Sequence, residues 1–220
     1  MRTLKFLTSL ATLALCAAAA GHGHPVRPVE ATAGVFDYYL MSLSWSPSYC
    51  ETHADETEQC GTQGYGFVLH GLWPQFRNGT WPEHCRIQAW PDEATIARSL
   101  AFMPSRSLVA HEWRTHGACS GLDPRAYFDL ADRAFAAVAI PPALTTPATP
   151  PRWSAEEIVQ AFEQVNPGLD ERMISVACHE GADLVEVHVC LNKHDLRPQP
   201  CGGGVLNTCR YGKLRIPASR

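Results

Sequence analysis

The distribution of cysteines is the feature that most restricts how this chain can fold. The 220 residues contain nine cysteines, and the first, Cys16, lies in an apolar segment that follows Arg2 and Lys5. A charged start, a short apolar stretch and a run of alanines are typical of a secretory signal peptide. We therefore predict a cleaved signal peptide at residues 1–20 and a secreted or periplasmic protein. The bulky Leu15 before Cys16 disfavours a lipid anchor.

The eight cysteines that remain predict four disulfide bridges, because an even number in an exported chain is typical of a disulfide framework. A zinc site would need closely spaced Cys-x-x-Cys pairs, and the sequence has none. About 200 mature residues are enough for one domain with a hydrophobic core. No later segment has the ~20 apolar residues of a membrane span. The eight are Cys50, Cys60, Cys85, Cys119, Cys178, Cys190, Cys201 and Cys209.

The charge of the mature chain argues against a broad surface for polyanions. Without the signal peptide, 16 basic residues stand against 22 acidic ones, a net charge of about −6. A nucleic acid would therefore be bound locally, by a few cationic groups and by base stacking.

The order of predicted elements indicates an α+β fold with a single domain. Residues 21–33 are polar and rich in proline and predict a flexible mature N-terminus, so the domain spans residues 34–220. Pro141–Pro151 is interpreted as a loop within the domain. Strands are predicted at 36–45, 64–71, 172–180 and 183–192, and helices at 92–102, 107–117, 125–139 and 155–165.

His70 follows the apolar run Phe67–Leu69 and precedes Gly71-Leu72-Trp73-Pro74. We predict that His70 lies at the end of the strand and that the turn after it places the indole of Trp73 beside the imidazole. A single histidine in such a run is more often a core residue than a catalytic one. The functional interpretation therefore needs a second group of histidines.

Residues 111–119, "HEWRTHGAC", supply that second group. Zinc-binding helices of this kind carry histidines four residues apart, whereas His111 and His116 are five apart. Glu112 and His116 are four apart and are predicted to share a helix face. A carboxylate beside an imidazole favours its charged form, which suits an acid–base catalyst.

Taken together, "HGLWP" and "HEWRTHGAC" resemble the two active-site segments of the ribonuclease T2 family of secreted acid endoribonucleases, in a bacterial-type member. "SLSWSPSYC" and the late cysteines extend the resemblance from about Phe36 to Cys209. The resemblance implies a mainly antiparallel sheet packed against several helices. It also implies disulfides Cys50–Cys60, Cys85–Cys119, Cys178–Cys209 and Cys190–Cys201, which the hairpin at residues 172–192 accommodates.

The resemblance implies His116 as general base, His70 as general acid, His111 as phosphate ligand and Glu112 as support for the phosphate and for His116. The order of base and acid stays open. No metal or cofactor is expected, because the internal 2′-hydroxyl is the nucleophile. We expect a monomer that cleaves single-stranded RNA with low base specificity through a 2′,3′-cyclic phosphate.

Four further residues are predicted to bind substrate. Trp73 and Phe128 are candidates for stacking bases, although either can instead fill the core. Gln75 stands where many family members carry an acidic residue, so base preference cannot be carried over. Thr115 stands where the family usually has lysine. Its hydroxyl can donate one neutral hydrogen bond but cannot supply the positive charge of a lysine. We therefore predict an active enzyme with a lowered rate.

Two alternatives follow from the same residues. The missing lysine suggests a catalytically weakened RNA-binding or interaction protein of the same fold. The ten histidines of the chain suggest a metal-binding protein, although most of them are scattered.

Overall fold

A computed structural model describes residues 28–29, 32–145 and 149–218 of the chain. The predicted signal peptide lies outside the described residues, as does most of the segment predicted to be flexible. Within that segment, Pro28–Val29 forms a short strand, β1, which pairs in parallel with β4, Trp81–Pro82.

An antiparallel sheet of four strands lies at the centre of the domain. Its strands are β2 (Tyr38–Trp45), β3 (Phe67–Gln75), β5 (Ile174–His179) and β6 (Asp183–Asn192), in the order β3-β2-β6-β5. The late strands β5 and β6 form the predicted hairpin. The prediction of one α+β domain built on a mainly antiparallel sheet is confirmed.

Six α-helices surround this sheet in the described residues. They are α1 (Ser46–Thr52), α2 (Thr57–Cys60), α3 (Glu93–Ser99), α4 (Arg106–Thr115), α5 (Pro124–Ala137) and α6 (Ala155–Val165), with 3-10 turns at Gly117–Ser120 and Pro142–Leu144. The side chains of Ser105, Asp123 and Ser154 cap α4, α5 and α6 by accepting backbone N–H groups. Such caps satisfy N–H groups that a helix start leaves unpaired.

The two faces of the sheet have different surroundings. On β2, Tyr39, Met41 and Leu43 are at most 2% exposed and belong to the main core. The alternate residues point the other way, because successive side chains of a strand face opposite sides. On that second face, Leu40 packs with Trp73 of β3.

The strand β3 does not end at His70 as predicted. It continues to Gln75, and its pairing with β2 shifts register: Leu69 lies opposite Leu43, whereas Gly71 lies opposite Ser42. His70 is the extra residue of this β-bulge. The bulge changes the parity of the strand, so Leu69 and Leu72 both enter the core and are 0% exposed.

Pro74 is compatible with this longer strand because β3 is at the edge of the sheet, where a strand can tolerate a missing N–H donor.

The four predicted disulfides are all present, as Cys50–Cys60, Cys85–Cys119, Cys178–Cys209 and Cys190–Cys201. The second of them ties the 3-10 turn after α4 to the loop after β4 and so anchors the end of the histidine-bearing helix.

Candidate active site

Helix α4 ends just before His116, the residue predicted to share a helix face with Glu112. Thr115 is its last residue, and His116 has the non-helical backbone angles φ −122° and ψ −47°. His116 still donates its N–H to the Glu112 carbonyl, but no ion pair or hydrogen bond joins the two side chains in the described part of the chain. Instead, the carboxylate of Glu112 lies beside His70 and Trp73 on β3.

Glu112 is a completely buried carboxyl group. Its Oε2 accepts a hydrogen bond of 2.6 Å from Trp73 Nε1, and its Oε1 lies 3.5 Å from Nε2 of His70. Burial raises the pKa of Glu112 to about 7, against the opposing effects of the His70 charge and the Trp73 N–H. At acidic pH this group is therefore a neutral carboxylic acid that can donate a hydrogen bond.

Sequence reasoning missed Glu186, the partner of His70 on β6. Nδ1 of His70 lies 2.5 Å from Oε1 of Glu186. Burial alone would lower the pKa of His70, but the hydrogen bond and charge of Glu186, with the charge of Glu112, outweigh it and raise that pKa. His70 therefore favours its protonated form. The two residues are 116 positions apart, so no local motif links them.

Glu186 favours its ionised form. Burial opposes ionisation, but hydrogen bonds to His188 and His70 outweigh burial and hold the pKa of the carboxyl group well below its usual range.

His116 has the opposite preference to His70. It is 9% exposed, and its Nδ1 has no hydrogen-bond partner among the described residues. Burial, followed by the charges of His111, His70 and His84, lowers the pKa of His116 to about 3. Its imidazole is therefore neutral and available to accept a proton across the acidic range.

The indole of Trp73 lies close to both imidazoles. Its ring centroid is 5.1 Å from that of His70, in an edge-on arrangement, and 5.2 Å from that of His116. A cavity of about 340 Å³ opens beside it, with a lining that includes Trp73, Gln75, Trp81, Glu83, His116 and His188. Trp73 of the first histidine segment and His116 of the second therefore line one cavity, with His70 against the indole of Trp73.

The remaining predicted residues occupy different positions. His111 is exposed on α4, close enough to His116 for its charge to lower the pKa there. Phe128 is 2% exposed and packs in the core against Tyr127 at 5.0 Å between ring centroids. It therefore offers no face to a base.

Thr115 is also covered. It is 4% exposed, and its hydroxyl oxygen is buried with no partner in the described part of the chain. Its carbonyl accepts a hydrogen bond of 2.9 Å from the N–H of His84, so the segment after β4 lies against the end of α4. The structure does not place Thr115 on the surface of the cavity.

Two observations concern other classes of site. Within residues 32–145 and 149–218, no group of three or more His, Cys, Asp or Glu side chains is arranged to hold a metal ion. In the same part of the chain, no helix is long and apolar enough to cross a membrane.

Solved structures with the same fold define the class of protein. One is a ribonuclease-related protein from Calystegia sepium, which superimposes with a TM-score of 0.67 and is 24% identical in sequence. The match covers 84% of this chain and 98% of that protein. The chain covers 99% of RNase NT, solved in complex with 5′-AMP, with a TM-score of 0.62 and 24% identity over 84% of its own length. The fold is therefore that of ribonucleases and ribonuclease-related proteins.

The chain belongs to the ribonuclease T2 family, whose model matches residues 36–201. It is 37% identical over 175 residues to a ribonuclease of Aeromonas hydrophila, covering 77% of this chain and 78% of the relative. It is 31% identical over 173 residues to a probable ribonuclease of Haemophilus influenzae, covering 71% of this chain and 58% of the relative. The protein is an endoribonuclease of this family, and the predicted resemblance is confirmed.

Proposed function

We propose that the protein cleaves single-stranded RNA by metal-independent transphosphorylation through a 2′,3′-cyclic phosphate. The observation that carries this proposal is that His70 and His116 both lie against the indole of Trp73, which lines the cavity together with His116, and have opposite protonation preferences. Titratable groups whose environments push their pKa values apart are suited to act as acid and base.

In the first step, neutral His116 accepts the proton of the 2′-hydroxyl while its oxygen attacks phosphorus. Protonated His70 gives a proton to the 5′-oxygen as the P–O5′ bond breaks. The pKa directions of the two imidazoles thus favour His116 as base and His70 as acid. In the second step, water opens the cyclic phosphate to a 3′-phosphate, and the two imidazoles exchange roles.

Glu112 and His111 are assigned to the phosphate. A neutral carboxylic acid donates a hydrogen bond to a phosphoryl oxygen, whereas an ionised one would repel it. The pKa of Glu112, raised to about 7 by burial, therefore suits this role at acidic pH. His111, exposed on the same helix, can donate a ring N–H to the same group.

Low base specificity is supported by the aromatic lining of the cavity. Trp73 and Trp81 offer ring faces, and stacking tolerates any base because every base has a π-face. Gln75 is 7% exposed on the same wall and can hydrogen-bond to base edges. We further propose that the protein is secreted or periplasmic, on the sequence of residues 1–20 and the four disulfides, and that it acts as a monomer.

The test is cleavage of single-stranded RNA in excess EDTA at acidic pH. We expect cleavage to persist, with 2′,3′-cyclic products appearing first. His70→Ala and His116→Ala should each lower kcat by ~10²–10⁴-fold, the usual contribution of a general acid or base. His111→Ala should be milder, and His194→Ala, on an exposed turn, is the matched control.

The competing functions give different results in this experiment. Binding of RNA without cleavage would support the interaction protein suggested by Thr115. Loss of activity or folding on chelation would support a metal-dependent protein. A folded His116→Ala variant with nearly unchanged cleavage would remove His116 from the mechanism.

A further inference from the structure

A carboxylate on β6 lies behind the general acid and has no role in the steps above. The geometry points to Glu186 as a positioning residue that fixes the ring of His70 and selects which nitrogen delivers the proton, with His188 holding Glu186 in turn. This inference rests on the proposed role of His70 as general acid. It adds to that site two residues that lie outside both histidine segments.

The two residues meet across an intervening strand. β3 and β6 are separated by β2, so His70 and Glu186 must span two strand spacings, or about 10 Å. The β2 residues beneath them on this face are Ser42 and Ser44, whose short side chains leave that space open. The β-bulge supplies the other requirement, because the extra residue redirects the imidazole.

Glu186 is held by three side chains. Its Oε1 lies 2.5 Å from Nδ1 of His70 and accepts a hydrogen bond of 3.1 Å from Ser44 Oγ, while its Oε2 lies 2.8 Å from Nε2 of His188. Its side chain is 14% exposed. A carboxylate is costly to bury unless it is paired, and here the pairing restricts both of its oxygens.

An ionised carboxylate only accepts hydrogen bonds, so Nδ1 of His70 must keep its proton. The proton that His70 gives up therefore comes from Nε2, the nitrogen on the side of Glu112. When the P–O5′ bond breaks, this proton passes to the 5′-oxygen and a neutral ring with its proton on Nδ1 remains. In the second step, Nε2 takes a proton from the attacking water.

Glu186 also supplies the negative charge that this acid needs at acidic pH. The titratable groups around His70 are Glu186 and His188 from β6, Glu112 and His111 from α4, and His116 from the turn after α4. Of the two carboxyl groups, Glu112 is neutral at acidic pH because burial raises its pKa. The charged form of His70 therefore depends mainly on Glu186.

The test compares two substrates that differ only in their need for a general acid. Cleavage of the dinucleotide UpA expels a 5′-alkoxide, which requires protonation. Cleavage of uridine 3′-(4-nitrophenyl phosphate) expels a nitrophenolate, which leaves without it. Both reactions use the same 2′-hydroxyl and the same base, so a defect confined to UpA identifies a defect in the acid.

Glu186→Gln removes the charge and keeps the shape of the side chain. Because a general acid contributes ~10²–10⁴-fold, we expect partial impairment to lower kcat for UpA by about ten- to a hundredfold. KM, and kcat for the nitrophenyl ester, should change by less than about threefold. The alkaline limb of the UpA pH profile should move to lower pH, because His70 would lose its proton earlier.

Two further variants test the role of His188 and provide a control. His188→Gln should show the same selectivity for UpA with a smaller loss. Asp183→Asn is the matched control: it lies on the same strand and pairs with Arg215 rather than with a histidine. It should leave both reactions unchanged.

His70→Ala distinguishes failure of the inference from failure of the proposed function. If His70→Ala lowers kcat equally for UpA and for the nitrophenyl ester, His70 is not the acid, and both proposals are overturned. If His70→Ala spares the nitrophenyl ester but Glu186→Gln leaves UpA unchanged, or impairs both substrates alike, only the role of Glu186 is overturned.

A measurement on the unaltered protein covers the case in which Glu186→Gln does not fold. Histidine ¹⁵N NMR reports which ring nitrogen carries the proton in the neutral imidazole. We expect the Nδ1–H form for His70 at alkaline pH, because Glu186 accepts from that nitrogen. A neutral His70 with its proton on Nε2 would overturn the inference without any substitution.

Discussion

At the scale of single residues, two imidazoles with the same ordinary pKa are given different protonation states by their neighbours. His70 has two carboxyl groups within 3.5 Å of its ring nitrogens, whereas His116 lies in a buried position influenced by other imidazoles. Both histidines are largely enclosed. The difference therefore comes from charge and hydrogen bonding rather than from burial alone.

This difference predicts the pH dependence of cleavage. As the pH falls, His116 gains a proton only near its pKa of about 3, so the acidic limb should lie far below neutrality. As the pH rises through about 7, Glu112 loses the proton that the mechanism needs. His70 also loses its proton on the alkaline side, later than an ordinary imidazole would, because Glu186 raises its pKa. We expect the highest kcat/KM at about pH 4–6.

Initial rates on UpA between pH 3 and 9 would test this profile at constant ionic strength. The limbs belong to the interacting groups together rather than to single residues. A rate that climbs steadily to pH 9 would contradict the two-histidine mechanism.

At the scale of elements, the contact between β3 and α4 depends on the absence of a side chain at Gly71. A Cβ at this position would overlap both Oε2 of Glu112 and Nε1 of Trp73, the two atoms of the hydrogen bond that joins these elements. The glycine that follows His70 is therefore required by close packing with the helix, rather than by the turn that the sequence suggested.

Gly71→Ala should therefore break the Trp73–Glu112 hydrogen bond. We expect the free energy of unfolding to fall by about 1–3 kcal/mol, the usual cost of overpacking, and kcat on RNA to fall with it. Gly212→Ala is the control, because a Cβ there has open space. Urea denaturation and RNA cleavage measure the two effects, and an active, equally stable Gly71→Ala variant would disprove the close packing.

At the scale of the whole molecule, an acidic chain binds a polyanion at a compact site. The full sequence carries a formal net charge of −4, and the cavity wall includes Glu83 as well as the imidazoles. Under the proposed function, we therefore expect binding to depend on stacking and on one or two contacts to the phosphate rather than on a basic groove.

This organisation predicts a weak dependence on salt. Contacts to one or two phosphates of a single strand should give a slope of log(1/KM) against log[salt] between about −0.7 and −1.4. Measuring KM for a short oligonucleotide between 50 and 200 mM NaCl would test this range. A slope steeper than about −3 would show that a larger cationic surface takes part.

The sequence alone determined the family, the α+β architecture, the four bridges and the two histidine segments. The two histidine segments are readable because each is a short run, "HGLWP" and the helix-like segment from His111 to Cys119. The even number of cysteines predicts four bridges, and their pairing follows from the family resemblance that these segments establish. The core face of β2 follows the alternation of its side chains, which is also local.

Only the tertiary structure decided which side chains of the site contact one another. The register shift that makes His70 a bulge depends on pairing with β2, and a strand read alone gives no sign of it. Glu112 meets His70 rather than His116 because α4 packs its carboxylate against Trp73 and His70 of β3. Glu186 lies 116 residues beyond its partner, within an ordinary strand, and becomes part of the site because the chain returns to place β6 beside β2.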